Sequence, residues 1–256
     1  MISIIIPTYH EVENIPLIAS EINKYLINEK YEILFMDDNS NDGSKLVCDT
    51  LSKNLPIKII VRTKNRGLSY SVIDGIKLAK GEYIVVMDAD LSHPASEILK
   101  MVAPLKAGKT DFVLGSRYIY GGSTDDKWTF IRYINSKLST LIALPLITVQ
   151  DPMSGFFAFK KKDLPPSDKL SPIGYKIALE ILVKGNFNSI IELPIFFKDR
   201  QFGRSKLSLK EQIKYLRHIR RLYIYKFPKK LEFIQFAIIA TGMALFFYVL
   251  FIGFQY

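Results

Sequence analysis

The sequence predicts an α/β protein with a mainly parallel central sheet, followed by an amphipathic helix and one apolar C-terminal span. Three observations predict it. Residues 1–116 alternate short β-favouring apolar runs with segments of helical period, the pattern of βαβ units. The strand runs are apolar throughout rather than alternating, as burial on both faces requires. Polar and acidic residues gather just after these runs, where the crevice of an open α/β sheet lies.

In chain order, Ile2–Ile6 reads as strand, Asn14–Asn28 as amphipathic helix and Glu32–Met36 as strand. Gly43–Lys53 is helix, Ile57–Val61 strand, Ser69–Ala79 helix and Tyr83–Met87 strand. Ala95–Ala107 is helix and Phe112–Gly115 strand, closed by Ser116-Arg117. After a Gly/Thr/Asp-rich loop, Tyr120–Lys127, the stretch Trp128–Leu144 reads as a helix carrying Arg132 and Ser136 one turn apart. Asp151-Pro152-Met153-Ser154-Gly155 is a turn before the strand Phe156–Phe159. Ile173–Lys184 reads as helix, and Ile190–Phe197 as a last strand broken by Pro194.

Composition narrows the function. The chain has 256 residues, 48% hydrophobic, and a formal charge of +10. Residues 198–230 hold 12 Lys/Arg and 2 Asp/Glu, and the rest carries 23 of each sign. The basic character therefore belongs to one short segment, which argues against a nucleic-acid partner. Cys48 is the only cysteine, so an intrachain disulfide and a cysteine zinc site are excluded. His10, His93 and His218 are the only histidines, too few to suggest a multi-histidine metal site. MISIIIP opens directly as a strand with no basic region before an apolar run, so no cleavable signal peptide is expected.

The chemistry gathers around Tyr83–His93, YIVVMDADLSH. A buried strand ending in Asp88-Ala89-Asp90 can hold a divalent cation through oxygen ligands, and that cation can carry a diphosphate. Taken alone, the two acids can equally be solvated loop residues capping the next helix. Two other strand ends are also polar: Pro7-Thr8-Tyr9-His10-Glu11 after the first, Asp37-Asp38-Asn39-Ser40 after the second. Three such clusters on one sheet edge suggest a shared crevice, with Asp38 an acceptor for a base or ribose. Neither a G-x-G-x-x-G nor a G-x-x-x-x-G-K-[ST] is present, so phosphates must be neutralised by metal and side chains.

The C-terminal third points to a membrane. Residues 199–206, DRQFGRSK, form a cationic loop. Leu207, Ile213, Leu216, Ile219, Leu222 and Tyr223 then recur at helical spacing among Lys210, Lys214, Arg217, Arg220 and Arg221. Such a helix is expected at the interface with anionic headgroups; its alternative is packing on the domain. Phe233–Phe254 has 22 residues without a charge. As a helix it would be about 33 Å long, enough to span a hydrocarbon core, and the preceding cations place the N-terminal part in the cytosol. The expected division is 1–206 catalytic domain, 207–230 interfacial helix and linker, and 231–256 transmembrane helix.

The motifs IIPTYHE, MDDNSNDGS, MDADLSHP, GSRY, DPMSGFFAF and RQFGRSK resemble, in order and spacing, those of polyprenol-phosphate glycosyltransferases, most of all the dolichol-phosphate mannose synthases. The resemblance covers residues 1–230 and implies an inverting family 2 enzyme of GT-A fold. It implies that Pro7, Tyr9, Glu11 and Asp38 line the nucleotide pocket, and that Asp88 and Asp90, with Ala89 nearby, hold Mg²⁺ or Mn²⁺ and the donor diphosphate. Ser92 stands where some members carry Gln, as a third metal contact. Arg117, Arg132, Ser136, Arg200 and Lys206 would gather around the acceptor phosphate, with Arg200 and Lys206 also reaching the donor and Asp151 and Ser154 bordering the sugar. Asp90, Arg117 and Arg200 are the catalytic candidates. His10 replaces the commoner Asn.

The implied reaction moves a hexose, foremost mannose from GDP-mannose, to dolichyl or polyprenyl phosphate at the cytosolic membrane face. UDP-glucose or another UDP-sugar donor stays open, as does a membrane-tethered nucleotide-sugar binding module without turnover. The residues agree with such an acceptor. A lipid monophosphate is a dianion near neutral pH. Arginine forks suit it, and no strong general base is needed.

Overall fold

The apolar runs pair into one seven-stranded sheet in the computed structural model of the chain, which describes residues 1–125, 130–166, 169–171, 173–199, 209–228 and 242–243. Its strands are β1 (Ile2–Thr8), β2 (Tyr31–Asp37), β3 (Ile57–Val61), β4 (Tyr83–Val86), β5 (Phe112–Ser116), β7 (Phe157–Lys160) and β8 (Ile190–Pro194). The order across the sheet is β3-β2-β1-β4-β7-β5-β8. Every neighbouring pair is parallel except those of β7, which runs antiparallel to both β4 and β5. Two-residue strands β6 (Ser123–Thr124) and β9 (Phe196–Phe197) pair separately, because Pro194 ends β8 as its ring predicts.

Among the described residues seven α-helices accompany the sheet: α1 (Asn14–Leu26), α2 (Ser44–Leu51), α3 (Leu68–Leu78), α4 (Ile98–Lys106), α5 (Phe130–Ala143), α6 (Ile177–Lys184) and α7 (Leu209–Lys226). Side chains alternate across each strand, so consecutive isoleucines serve two cores. Ile2, Ile4 and Ile6 pack with Ile33, Phe35 and the α1 residues Ile15, Ile18 and Ile22. Ile5, Leu34, Met36 and Val86 pack the other way, with Val72 and Ile76 of α3 and Ile181 of α6. This double coverage is why the strands read as unbroken apolar runs.

The topology makes the crevice. From β1 the chain builds outward through β2 and β3, then returns to place β4 on the other flank of β1. The carboxyl ends of β1 and β4 therefore flank a switch point, where open α/β sheets bind ligands. Because β7 is antiparallel, with Val86 opposite Phe157, its amino end and the preceding Asp151–Gly155 turn arrive at the same edge. The five non-glycine residues with positive φ among those described are His10, Asn39, Asn41, Asn65 and Leu91, all in loops that follow β1 to β4. His10, at φ +56°, occupies a left-handed position, a conformation in which Asn, Asp and His are enriched.

One expectation changes. The helix expected over Ile173–Lys184 starts only at Ile177, because Gly174 turns at φ +67° and Lys176 leaves the helical region. One side of α7 packs on protein, while Ile213 of the apolar stripe stays exposed and Leu207 lies outside the described residues. Tyr215, Ile219, Leu222 and Tyr223 of α7 are buried with Ala143 of α5, Leu146 and Leu179 of α6. Glu180 of α6 is the polar anchor of this packing. It accepts from His218 of α7, from Lys184 at 2.6 Å and from the Ser171 backbone at 2.7 Å. Among the described residues no helix is long and apolar enough to cross a membrane; the expected span Phe233–Phe254 lies outside them except for Gly242 and Met243.

Candidate active site

A cavity of about 820 Å³ opens at the switch point and gathers most of the residues singled out by sequence. Pro7, Tyr9 and Glu11 reach it from the end of β1, Asp38 from the end of β2, and Asp88, Ala89 and Asp90 from the end of β4. Arg117, Ser136 and Ser154 line the same space. Arg132 lies on α5, but its side chain is outside the described part, as are Arg200 and Lys206 entirely.

The Asp88–Asp90 turn is held in one shape. Leu91 adopts φ +63°, a costly conformation for a bulky residue of the kind that collects at ligand sites. Ser92 is buried; its hydroxyl donates to Asp90 Oδ1 at 2.6 Å and its backbone N–H to the same oxygen at 3.2 Å. The Ser92 hydroxyl thereby helps to orient the Asp90 carboxylate. The Asp88 backbone N–H donates to His93 Nδ1 at 3.0 Å. His93 is buried and stacked on Phe156 at 5.1 Å, and burial lowers its pKa, so the ring is neutral with its proton on Nε2. Gly155 brings the turn before β7 against this arrangement, where a Cβ would lie in ordinary contact, 3.4 Å from Asp88 Oδ1 and from His93 Cε1.

Asp38 lines the cavity, yet its carboxylate is committed to protein. It accepts from Arg62, from Ser71 Oγ at 3.1 Å and from the Gly67 backbone at 2.6 Å. Arg62 in turn binds Asp74 through Nε at 3.1 Å and Nη2 at 3.0 Å. This network fixes the connection between β3 and α3, and Arg66 on it lies over the Tyr9 ring at 5.2 Å. Asp38 therefore shapes the nucleotide side of the cavity by holding Arg66 and Gly67.

Cations line the same cavity. Arg117 is buried and binds Asp151 through two parallel hydrogen bonds, each 2.7 Å. Burial alone would pull the Arg117 pKa down; the Asp151 carboxylate more than offsets this and leaves it raised. Lys176 also lines the cavity, half-buried, with Nζ donating to the Met153 carbonyl at 2.7 Å. Burial first, and then Arg117, push its pKa down to about 8, against the upward pull of Asp151 and Asp88. Sequence reasoning missed Arg66, His93 and Lys176. For His93 a signal existed, a histidine three residues past the second aspartate; Lys176 was read as part of a helix and only the Gly174 turn reveals it.

The donor set suits a hard divalent cation. Asp88 and Asp90 present carboxylates to the cavity, and no group of three His, Cys, Asp or Glu that could hold a metal occurs among the described residues. A site with two carboxylates, completed by ligand phosphates and water, is the arrangement Mg²⁺ favours.

The model of the family described as "Glycosyl transferase family 2" matches residues 3–165. The chain belongs to this family. Among curated relatives, the "Dolichol-phosphate mannosyltransferase" of Pyrococcus furiosus is 45% identical over 225 residues, covering 86% of this chain and 63% of that protein. The chain thus spans somewhat less than two thirds of that relative's length. The Saccharomyces cerevisiae protein of the same name is 41% identical over 237 residues, covering 88% of each. Among solved structures, glucosyl-3-phosphoglycerate synthase from Mycobacterium tuberculosis, crystallised with Mn²⁺ and UDP, matches with TM-score 0.61 and 16% identity, over 88% of this chain and 79% of that one. Mannosyl-3-phosphoglycerate synthase from Rubrobacter xylanophilus matches with TM-score 0.62 and 14% identity, over 87% and 73%. At these identities the likeness is one of fold, the α/β GT-A fold that the motifs implied.

Proposed function

We propose that this glycosyltransferase moves mannose from GDP-mannose to the phosphate of a dolichyl or polyprenyl phosphate, inverting the anomeric carbon. One observation carries the reading. A single cavity brings together the paired carboxylates Asp88 and Asp90, Tyr9 and Glu11, and the cations Arg117 and Lys176. The first set suits a nucleoside diphosphate carried by a cation, and the second suits an anionic acceptor. The names of the relatives agree with a mannosyl donor and a dolichol-phosphate acceptor.

Asp88 and Asp90 would hold Mg²⁺ or Mn²⁺, which when bound supplies Lewis-acid stabilisation of the leaving diphosphate. Ser92 keeps Asp90 aimed, and His93 holds the Asp88 backbone without offering a charge of its own. Arg117, oriented by Asp151, and Lys176 attract and place the acceptor phosphate. Its oxygen attacks the anomeric carbon as the bond from that carbon to the diphosphate oxygen breaks, giving GDP and the mannosyl phosphodiester. The nucleophile is already ionised, so positioning and charge stabilisation provide the rate. Arg132, Arg200 and Lys206 are proposed to complete the acceptor side. In this reading Phe233–Phe254 spans the membrane once, and the catalytic domain faces the cytosolic leaflet that carries the lipid acceptor.

The test is transfer of labelled sugar to polyprenyl phosphate with GDP-mannose, UDP-glucose or UDP-N-acetylglucosamine competing. Mannose transfer that only GDP-mannose suppresses supports the reading. Transfer from a UDP-sugar changes the donor, and binding without transfer makes the protein a nucleotide-sugar binding module. Asp90→Asn is expected to lower transfer roughly a hundredfold or more. Full activity in that variant would sink the metal role.

A further inference from the structure

A second cavity, of about 570 Å³, lies between α3 and α7. Lys214, Arg217, Arg220 and Arg221 line it from α7, Arg66 from the connection before α3, and Tyr70 from α3. Among the described residues no carboxylate lines it. Lys214 is paired with Glu211 at 2.6 Å and Arg220 also has a partner, so the case rests on Arg217, Arg221 and Arg66.

The arrangement of these cations works against the fold. Positions 214, 217 and 221 are three and four residues apart with 220 alongside, which stacks like charges on one helix face and disfavours the helix. Arg66 then faces that stripe from another element. Its backbone is bracketed on both sides, since Gly67 N–H donates to Asp38 Oδ2 at 2.6 Å and Arg62 Nη2 donates to the Asn65 carbonyl at 2.7 Å. The opposing elements also meet through Gly174. Its carbonyl accepts from Ser69 of α3 at 2.8 Å, and a Cβ on it would lie 3.5 Å from Lys214. A fixed recess lined by arginines is relieved by an anion with several oxygens, because each planar fork can bind two of them.

We propose that this cavity is a second anion site, for a phosphate-bearing group, adjoining the donor cavity but separate from the Asp88–Asp90 turn. None of Arg217, Arg220 and Arg221 lines the donor cavity, although Arg66, Gly67, Gly174 and Lys214 line both. The phosphate can be that of a phospholipid headgroup or of a soluble compound, and the two sources share the chemistry.

The test is calorimetric titration of the full chain in detergent, without nucleotide or metal. The probes are short-chain phosphatidic acid, short-chain phosphatidylcholine and inorganic phosphate. Wild type is expected to bind phosphatidic acid, inorganic phosphate or both, and Arg217→Ala/Arg221→Ala to bind them about tenfold more weakly. Sugar transfer at saturating donor is expected to stay within about twofold, because neither arginine lines the donor cavity. Weakening toward phosphatidic acid alone assigns the site to a lipid headgroup, and weakening toward inorganic phosphate assigns it to phosphate generally. Affinities equal to wild type overturn the proposal. So does a rise in donor KM matching the loss of anion binding, which would make the recess part of the donor site. If the alanine pair does not fold, Arg217→Lys/Arg221→Lys, expected to weaken binding about threefold by loss of the forks, carries the same comparison.

Discussion

Arg117 and Asp151 form a buried two-pronged pair, with Nε and Nη2 each 2.7 Å from a separate carboxylate oxygen and the Arg117 backbone N–H 3.0 Å from Oδ2. Asp151 is completely enclosed, and its own backbone N–H is held by Glu192 at 3.0 Å. The acid therefore orients the arginine that faces the acceptor. Asp151→Ala leaves an arginine buried without its counter-charge and is expected to cost about 3–5 kcal/mol. Asp151→Asn keeps the shape and is expected to raise the acceptor KM more than the donor KM. Urea unfolding and steady-state kinetics check the two parts. Equal changes in both KM values would count against orientation of the acceptor.

His93 tests the support of the paired aspartates. His93→Phe preserves an aromatic ring against Phe156 but leaves the Asp88 backbone N–H without its acceptor. The expected loss of stability is about 1–3 kcal/mol. The expected kinetic signature is a higher concentration of divalent cation for half-maximal transfer, by about tenfold as for other outer supports of metal ligands. A cation requirement equal to wild type would show that His93 only fills space.

Lys176 makes a pH prediction. Its folded pKa, about 8, lies below its ordinary value of 10.5, so the unfolded chain binds more protons between the two. The penalty for enclosing the charge is fully present below about pH 8 and is relieved as pH rises toward 10.5. Lys176→Met is therefore expected to be the more stable protein at pH 7, by at most about 3 kcal/mol, with the gap closing at alkaline pH. In kinetics, wild-type kcat/KM for the acceptor is expected to fall above about pH 8 as the charge is lost. The variant is expected to be slower throughout and to lack that alkaline limb. Thermal melts and pH profiles measure both.

Glu180 tests the seating of α7. Burial would raise its pKa, but the bonds from His218 and Lys184 lower it overall. A depressed carboxylate contributes stability that is present above its unfolded pKa and lost as pH falls through the folded value. Glu180→Gln is expected to destabilise by about 3 kcal/mol at neutral pH by breaking a buried ionic cluster. The difference is expected to shrink below about pH 4, where the unfolded carboxyl is protonated. A constant difference from neutral to acidic pH would argue that packing rather than charge holds α7.

Much of the site was legible because strand ends are visible in a sequence. A buried strand must be apolar and its loop need not be, so Pro7–Glu11, Asp38 and Asp88–Asp90 stand out against Ile2–Ile6, Glu32–Met36 and Tyr83–Met87. What a side chain does with its polar atoms was less legible. Asp38 reads as a ligand acceptor and does line the cavity, but the sequence does not show the partners 24, 29 and 33 residues away that also bond its carboxylate. Lys176 looked helical because Tyr175–Lys184 continues an apolar period, and one glycine at φ +67° removed it from the helix.

The sequence by itself determined the α/β class, the residues at the strand ends and, through six ordered motifs, the family. These follow from local pattern, since burial on two faces and the end of a strand leave marks on neighbouring residues. Only the tertiary structure decided where α7 packs, which charges are mutually satisfied and which cations face one another across a recess. The apolar stripe of α7 has the same period whether it meets lipid or protein. The contact among Glu180, Lys184 and His218, whose ends are 38 residues apart, places it against the protein.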